Sequence, residues 1–197
     1  MNLGQTMITM GMFVLLVMSV ISANRMLVQN AETGLQTEAL TESATIANDL
    51  FQEVQGQLFD HLVDTSRSDQ TQTEFSSPTG GSPVNSEWGP SNAERAAVGA
   101  MPDAAGSGQY RSITAFDDVD DYNGYSRTVD VDTLNGIRLG GFVVHVRVMY
   151  VDPNQPPDPD TKDLKVVDYQ TFMKRIEVDI EHPQYLSKIT YKSVMSY

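Results

Sequence analysis

An uncharged apolar segment near the amino terminus constrains the fold of this chain more than any other feature. No charged side chain occurs from Asn2 to Asn24, and the only polar side chains within Met7–Ala23 are one threonine and two serines. A helix rises about 1.5 Å per residue, so about 20 such residues span a hydrocarbon core of about 30 Å. A cleavable secretory signal, the alternative, would begin with a basic region, but Met1–Thr6 has no lysine or arginine. The pattern predicts an uncleaved single-span anchor or assembly helix.

The apolar pattern continues beyond this segment as a stripe along one face of a longer helix. Apolar residues recur every three or four positions over 27–62, and no proline precedes Pro78. We predict one helix from residue 2 to about residue 64. Residues 1–28 form its transmembrane or filament-core part, and residues 29–65 form its amphipathic continuation. A coiled coil or signalling stalk is the alternative, but the spacing is too irregular for sustained heptads.

A polar connection follows the helix. Of the 43 residues from 66 to 108, 21 are Ser, Thr, Gly or Pro, and no hydrophobic period survives. Residues 66–115 are therefore predicted to form an exposed connecting loop, with a short helical turn at Asn92–Gly99. Trp88 is the only tryptophan, and we expect it to anchor this loop on the folded domain rather than to recognise a ligand.

The remainder of the chain, residues 116–197, has the alternating pattern of an antiparallel sheet. Apolar side chains occupy every second position in Phe142–Tyr150 and Ile176–Ile180, and Ile189, Tyr191 and Met195 lie on one face of a third alternating segment. Each segment is predicted to be a strand with one buried and one solvated face.

Turn residues separate these strands and indicate a fourth one. Asn135-Gly136 is a strong hairpin signal between Thr128–Leu134 and Ile137–Val143, because both turn positions favour positive φ. Asp152–Asp163 contains four prolines and is predicted to be a solvated loop, and His182-Pro183 marks the turn before the last strand.

These segments predict an α+β fold in which a long N-terminal helix packs by its second half on a small antiparallel sheet. The apolar face of the sheet needs a cover, and the helix from Leu40 to Leu62 carries the matching stripe. Residues Asn2–Leu27 then have no partner within their own chain. Such a chain would reside in a membrane as a precursor and would bury this segment against copies of itself.

Four segments of the C-terminal half carry a resemblance to a known family: FDDVDDYNG (Phe116–Gly124), GFVVHVRVMYVD (Gly141–Asp152), KRIEVDIEHP (Lys174–Pro183) and ITYKSVMSY (Ile189–Tyr197). In this order they resemble the C-terminal half of minor pilins of the mannose-sensitive haemagglutinin type, and the whole architecture resembles type IV pilins and pseudopilins. The resemblance implies a fimbrial, cell-adhesion role: N-terminal helices pack into a filament core, and sheet domains coat the outside. It implies no catalytic residue.

The amino terminus departs from the type IV pilin pattern. A prepilin has a basic leader that ends in glycine and a glutamate five residues into the mature chain. Here no glutamate precedes Glu32, and the position that follows Gly4 by five residues is Thr9. We therefore expect no processing at Gly4. Register between helices would be set by the hydroxyls of Thr6 and Thr9 or by close backbone contact at Gly4 and Gly11.

Composition and motifs exclude several other functions. The chain has 13 basic and 26 acidic residues, a net charge of −13, which argues against binding to nucleic acid. It contains no cysteine, which excludes disulfides and thiolate chemistry. The sequence contains no nucleophile motif and no phosphate-binding loop. Its three histidines, His61, His145 and His182, do not form the closely spaced pairs typical of metal sites. We predict neither an enzyme nor a small-molecule substrate.

One dense group of oxygen ligands, in the acidic segment, leaves a calcium site open. Ca²⁺ takes six to eight oxygens, but the spacing here departs from an EF-hand because Tyr122 and Gly124 fall at the wrong positions. The competing prediction is that these side chains form turns and caps above packed tyrosines. The candidate ligands are Asp117, Asp118, Asp120, Asp121 and Asn123.

The sequence thus favours a structural subunit of an extracellular filament, with an inner-membrane precursor and a cell-surface product. The alternative is a single-span envelope protein, such as a secretion-system pseudopilin or an anchored adaptor. In the filament hypothesis the partners are copies of the chain, held through N-terminal helices. The predicted assembly residues are Leu3, Ile8, Met12, Phe13, Leu16, Val17, Val20 and Leu27.

Overall fold

The computed structural model describes residues 3–63, 69–78, 88–90, 116–132 and 138–197. These residues form one α-helix, two 3-10 turns (Gln72–Glu74 and Asp120–Tyr122) and five β-strands. The elements are α1 (Leu3–Gln55), β1 (Ser126–Asp132), β2 (Arg138–Asp152), β3 (Lys165–Val166), β4 (Met173–His182) and β5 (Leu186–Ser196). The chain divides into two compact units, Met1–Thr41 and Glu42–Tyr197, and α1 begins in the first and ends in the second. The predicted α+β class, with an apolar N-terminal helix and an antiparallel sheet, is confirmed.

The helix ends earlier than the sequence pattern predicts. α1 stops at Gln55, so the prediction that it continues to about residue 64 is wrong. Glycine weakens a helix, and the Gly56 N–H makes the last α-helical bond, to the Gln52 carbonyl. The chain then turns, and the Asp60 carboxylate accepts a hydrogen bond from the Leu62 N–H, a local bond that competes with helix. Beyond Gly56, Phe59 is buried from a loop instead of from a helix face, whereas Leu58 is 42% exposed.

Within the second unit, the end of α1 lies on the sheet. The Ser43 hydroxyl lies 2.7 Å from the Tyr191 hydroxyl on β5, and the Gln55 side-chain amide donates to the Ser193 hydroxyl at 2.8 Å. Between these two contacts, Leu50 and Val54 are fully buried. The predicted packing of the second half of the helix on the sheet is therefore observed from Ser43 to Gln55.

The sheet is antiparallel, in the order β1-β2-β4-β5, and the two-residue β3 pairs with the end of β2. β2 combines two predicted strands, Ile137–Val143 and Phe142–Tyr150, into one. The predicted turn Asn135-Gly136 lies outside the described residues, although β1 and β2 do pair antiparallel. Cross-strand pairs between β2 and β4 bring inward-facing apolar side chains together: Val144 with Ile180, Val146 with Val178 and Val148 with Ile176. His182 ends β4, as predicted from the turn after it.

The outward face of β4 is buried at Arg175, Glu177 and Asp179 and exposed at Glu181, which corrects the prediction of a solvated face for most of the strand. β4 lies between β2 and β5, so the long basic side chains of both neighbours cover its carboxylates. Arg147 lies 3.0 Å from Glu177, and Lys188 lies 2.7 Å from Asp179. Burial alone would raise the pKa of Asp179, but hydrogen bonds from Lys188 and Thr190 hold it below its ordinary value.

Candidate functional site

The N-terminal part of α1 is exposed along its length. Every residue from 3 to 34 is exposed within the chain. α1 is the one helix in the described part of the chain that is long and apolar enough to cross a membrane. The eight predicted assembly residues all lie here, from 38% exposed at Val17 to 82% exposed at Leu3. The neighbouring methionines and aliphatic residues are exposed as well, so the apolar surface surrounds the helix. Exposed apolar surfaces of this extent are typical of segments that contact a membrane or another protein.

The acidic segment forms turns through its own side chains. The Asp121 carboxylate accepts the N–H groups of Asp117 and Asp118, at 3.1 and 3.2 Å. The Asp118 carboxylate in turn accepts the Asp121 N–H at 3.1 Å, and Asn123 accepts the Val148 N–H of β2 at 3.2 Å. These bonds match the prediction of caps and turns, and they fix the segment against the sheet.

The structure brings together only part of the proposed calcium ligand set. Carboxylate oxygens of Asp117, Asp118 and Asp121 lie within 4.8 Å of one another, but Asp120 and Asn123 are directed elsewhere. A second group within the same limit comprises Asp60, His61 and Asp118. In both groups the oxygens of Asp118 already accept backbone N–H groups. These residues therefore have a structural role that needs no ion, and we do not identify them as metal ligands.

A buried lysine between two aspartates is the main polar feature inside the second unit. Lys174 of β4, Asp60 of the turn after α1 and Asp120 of the acidic segment are all 0% exposed. The Lys174 ammonium donates to Asp120 Oδ1 at 2.5 Å and to the Phe59 carbonyl at 2.5 Å. It also lies 3.5 Å from Asp60 Oδ2. We call Lys174, Asp60, Asp120, Ser76 and Tyr150 the buried polar cluster.

Ser76 and Tyr150 complete this cluster. The Ser76 hydroxyl lies 2.5 Å from Asp60 Oδ2 and 3.0 Å from Asp120 Oδ2, so it bridges the two carboxyls. The Tyr150 hydroxyl donates to the Ser76 carbonyl at 3.1 Å. Burial raises the pKa of Asp60, but the Lys174 charge and hydrogen bonds from Ser76 bring it below its ordinary value. Burial, with the nearby Asp60 charge, raises the pKa of Tyr150 and keeps the phenol protonated.

Aromatic rings enclose the lysine end of the cluster. The ammonium lies 4.6, 5.2 and 5.3 Å from the ring centres of Phe59, Tyr150 and Trp88. Trp88 also packs on Tyr150, with 5.0 Å between ring centres. The sequence predicts that Trp88 anchors its loop on the domain, and this contact confirms it.

This cluster was not predicted from the sequence, although one signal for it was present. Lys174 is in phase with Ile176, Val178 and Ile180, so it occupies the inward face of β4, as Tyr150 does on β2. A lysine at an inward position needs a buried acceptor. Nothing in the sequence showed which of 26 acidic residues supplied it.

The three histidines are separate, as predicted. The His182 ring accepts the Gln184 and Tyr185 N–H groups and lies 2.9 Å from the Gly140 carbonyl, so it stabilises the turn. His145 is exposed on β2. His61 lies beside Asp118, with its ring nitrogen 3.3 Å from the carboxylate.

Comparison of the chain with protein-family models, with curated proteins and with solved structures found no match.

Asp118 makes stability depend on pH. Burial, with repulsion from Asp120 and Asp121, raises the pKa of Asp118 from 3.8 to about 9. Between these values the folded chain retains a proton that the unfolded chain has lost. This group therefore makes the free energy of unfolding fall as pH rises, by up to about 1.4 kcal/mol per pH unit. Asp60 acts in the opposite sense: because its pKa is lowered, its contribution is lost as pH falls below about 4.

We expect Asp118→Asn, which cannot titrate, to reduce the fall in stability between about pH 5 and about pH 8. Urea denaturation followed by Trp88 fluorescence measures this change. Asp160→Asn, at an exposed loop position, is the matched control and should retain the wild-type slope. A slope in Asp118→Asn equal to that of the wild type would show that another group retains the proton.

Proposed function

We propose that this chain is a pilin-like structural subunit of an extracellular filament. It polymerises through the N-terminal part of α1, and the β-sheet unit forms the filament surface. The observation that carries the proposal is the apolar part of α1, residues 3–24, which has no charged side chain and is exposed on every side.

The amount of exposed apolar surface supports assembly. Sixteen large apolar residues between Leu3 and Val28 are at least 38% exposed. Removal of apolar surface from water contributes a favourable free energy of about 25 cal/mol per Å². Contact of this helix with lipid or with other helices is therefore strongly favoured. A bilayer provides them for a precursor, and copies of the same helix provide them in a filament.

Two glycines support close helix packing in such a core. A Cβ atom added at Gly4 or Gly11 would meet nothing within 4 Å in its own chain. Small residues let helix backbones approach closely where apolar helices associate. The hydroxyl of Thr9 donates to carbonyls of its own helix, at 3.0 Å to Gln5 and to Thr6, so it does not disturb the apolar surface.

The charge of the second unit suits a solvated filament surface. Residues 1–41 contain one arginine and two glutamates, so nearly all the net charge of −13 belongs to residues 42–197. A strongly charged surface keeps an assembly soluble and limits its lateral association.

The test is microscopy of fibres sheared from cells that express the full chain. We expect fibres that contain this chain, and we expect Val17→Glu to abolish them, because a carboxylate would be buried without a partner. Gln29→Glu is the matched control, since it adds the same charge at an exposed position beyond the apolar segment and should leave fibres intact. The amount of each variant in the membrane fraction separates lost assembly from lost insertion.

Two results would contradict the proposal. If Val17→Glu reaches the membrane and still forms wild-type fibres, the apolar segment is not the filament core. If the wild-type chain remains a membrane-embedded monomer and forms no fibres, the single-span envelope protein is the better account.

A further inference from the structure

We propose that Lys174 and Asp120 form an intramolecular amide bond between the lysine Nζ and the aspartate side-chain carboxyl, with loss of one water molecule. This inference goes beyond the proposed filament role and does not depend on it. It rests on the buried polar cluster, in which the two reacting groups are in contact.

The geometry places a nucleophile and an acyl group together away from water. Nζ of Lys174 lies 2.5 Å from Oδ1 of Asp120, and both side chains are 0% exposed. Each is held by its own element: β4 fixes the lysine, and the 3-10 turn Asp120–Tyr122 fixes the aspartate. Contact of this kind replaces an encounter between two molecules with a reaction inside one chain.

The surroundings exclude water from the reacting pair. An ammonium has no lone pair, so Nζ must first transfer a proton to the carboxylate. The rings of Phe59, Tyr150 and Trp88 enclose Nζ, so this transfer takes place away from solvent. The Phe59 carbonyl accepts an Nζ hydrogen at 2.5 Å and orients the amine.

Hydrogen bonding around Ser76 supplies a path for the proton. Its hydroxyl contacts Oδ2 of Asp60 and Oδ2 of Asp120, so it bridges the two carboxyls. Asp60 Oδ2 also accepts the Ser76 N–H at 2.8 Å. Asp60 is therefore placed to take a proton from Nζ, and Ser76 is placed to pass one to Asp120.

The reaction then balances without an oxidant or a cofactor. One Nζ proton passes through Asp60, whose Oδ2 lies 3.5 Å from Nζ, and through the Ser76 hydroxyl to Oδ2 of Asp120. The freed Nζ lone pair attacks Cγ of Asp120, and an N–C bond forms. A second Nζ proton then follows the same route to Oδ2. The C–Oδ2 bond breaks and water leaves. Oδ1 remains as the amide oxygen, and Asp60 returns to its ionised form.

The decisive measurement is the intact mass of the purified full-length chain, denatured from detergent. We expect the wild-type mass to be lower by one water than its sequence requires, and we expect Lys174→Arg and Asp120→Ala to show no such loss. Lys192→Arg, on the adjacent strand, is the matched control and should keep the loss. A tryptic digest should contain a branched peptide that joins Asp120 to Lys174, with no cleavage after Lys174.

Asp60→Asn tests the proton acceptor, with Trp88 fluorescence as the check that the cluster is folded. A folded Asp60→Asn chain that has lost no water supports the relay, and a linked one overturns it. The bond itself is overturned by a wild-type chain of full mass. It is also overturned by a water loss that maps to a linear peptide, as a cyclic imide would, or by a loss that persists in Lys174→Arg.

Discussion

Lys174→Met is expected to lower the free energy of unfolding by about 3–5 kcal/mol, because it leaves Asp60 and Asp120 buried without the lysine that partners both. Among the described residues, Lys174 is the one basic residue placed against both carboxyls, and all three side chains are 0% exposed. Methionine removes this partner whether the lysine is ion-paired or linked to Asp120. Methionine fills a similar volume, so the loss reports charge and bonding more than packing. Urea denaturation of the full chain in detergent, followed by Trp88 fluorescence, measures it.

Lys188→Met is the matched control. Lys188 is 55% exposed in its side chain and pairs with Asp179 at 2.7 Å, so we expect its removal to cost about 1 kcal/mol or less. A second signature separates charge from packing. Without Lys174, burial raises the pKa of Asp60, so the variant should regain stability as pH falls toward about 5. Equal losses in the two methionine variants, or a loss that does not change with pH, would contradict the role given to the cluster.

The sheet could be predicted from the sequence because the alternation of apolar residues within each strand indicates which of its faces is buried. The alternate apolar residues from Phe142 to Tyr150 in β2 and from Ile176 to Ile180 in β4 are all buried in the structure. Period-two alternation depends on the strand alone, so no knowledge of the partner strand is needed. The end of α1 could not be predicted from apolar spacing, because Leu58 and Leu62 continue the same spacing although the helix has already ended at Gln55.

Burial of polar groups depends on neighbours, and the sequence does not specify neighbours. Glu177 and Asp179 alternate as solvated residues do, yet β4 is an inner strand and basic side chains cover them. The buried polar cluster draws on chain positions 60, 76, 120, 150 and 174. Its members approach one another only after the strands pair and the turn after α1 meets the acidic segment at the Leu58–Asp118 bridge. The turns of the acidic segment could therefore be predicted from the sequence, but the buried contact of Asp120 with Lys174 could not.

Leu50→Ala is expected to cost about 2–5 kcal/mol, since it removes a fully buried side chain and leaves a cavity. Leu50 is 0% exposed and lies on the face of α1 that carries Ala47 and Val54, both buried as well. Tertiary packing of one face supplies most of the stability of such a helix. The substitution therefore measures how strongly the end of α1 is held on the sheet, by urea denaturation under the conditions used for the lysine variants.

Leu58→Ala is the matched control, because the same atoms are removed three residues beyond the helix, where the side chain is 42% exposed. We expect it to cost about 1 kcal/mol or less, as only part of the side chain leaves water on folding. A second readout follows the contact with the sheet. If Leu50 holds α1 in place, Leu50→Ala should also increase amide hydrogen exchange from Ser43 to Gln55, whereas Leu58→Ala should not. Similar costs for the two alanines would mean that the sheet is stable without the helix, and its apolar face would then need another cover.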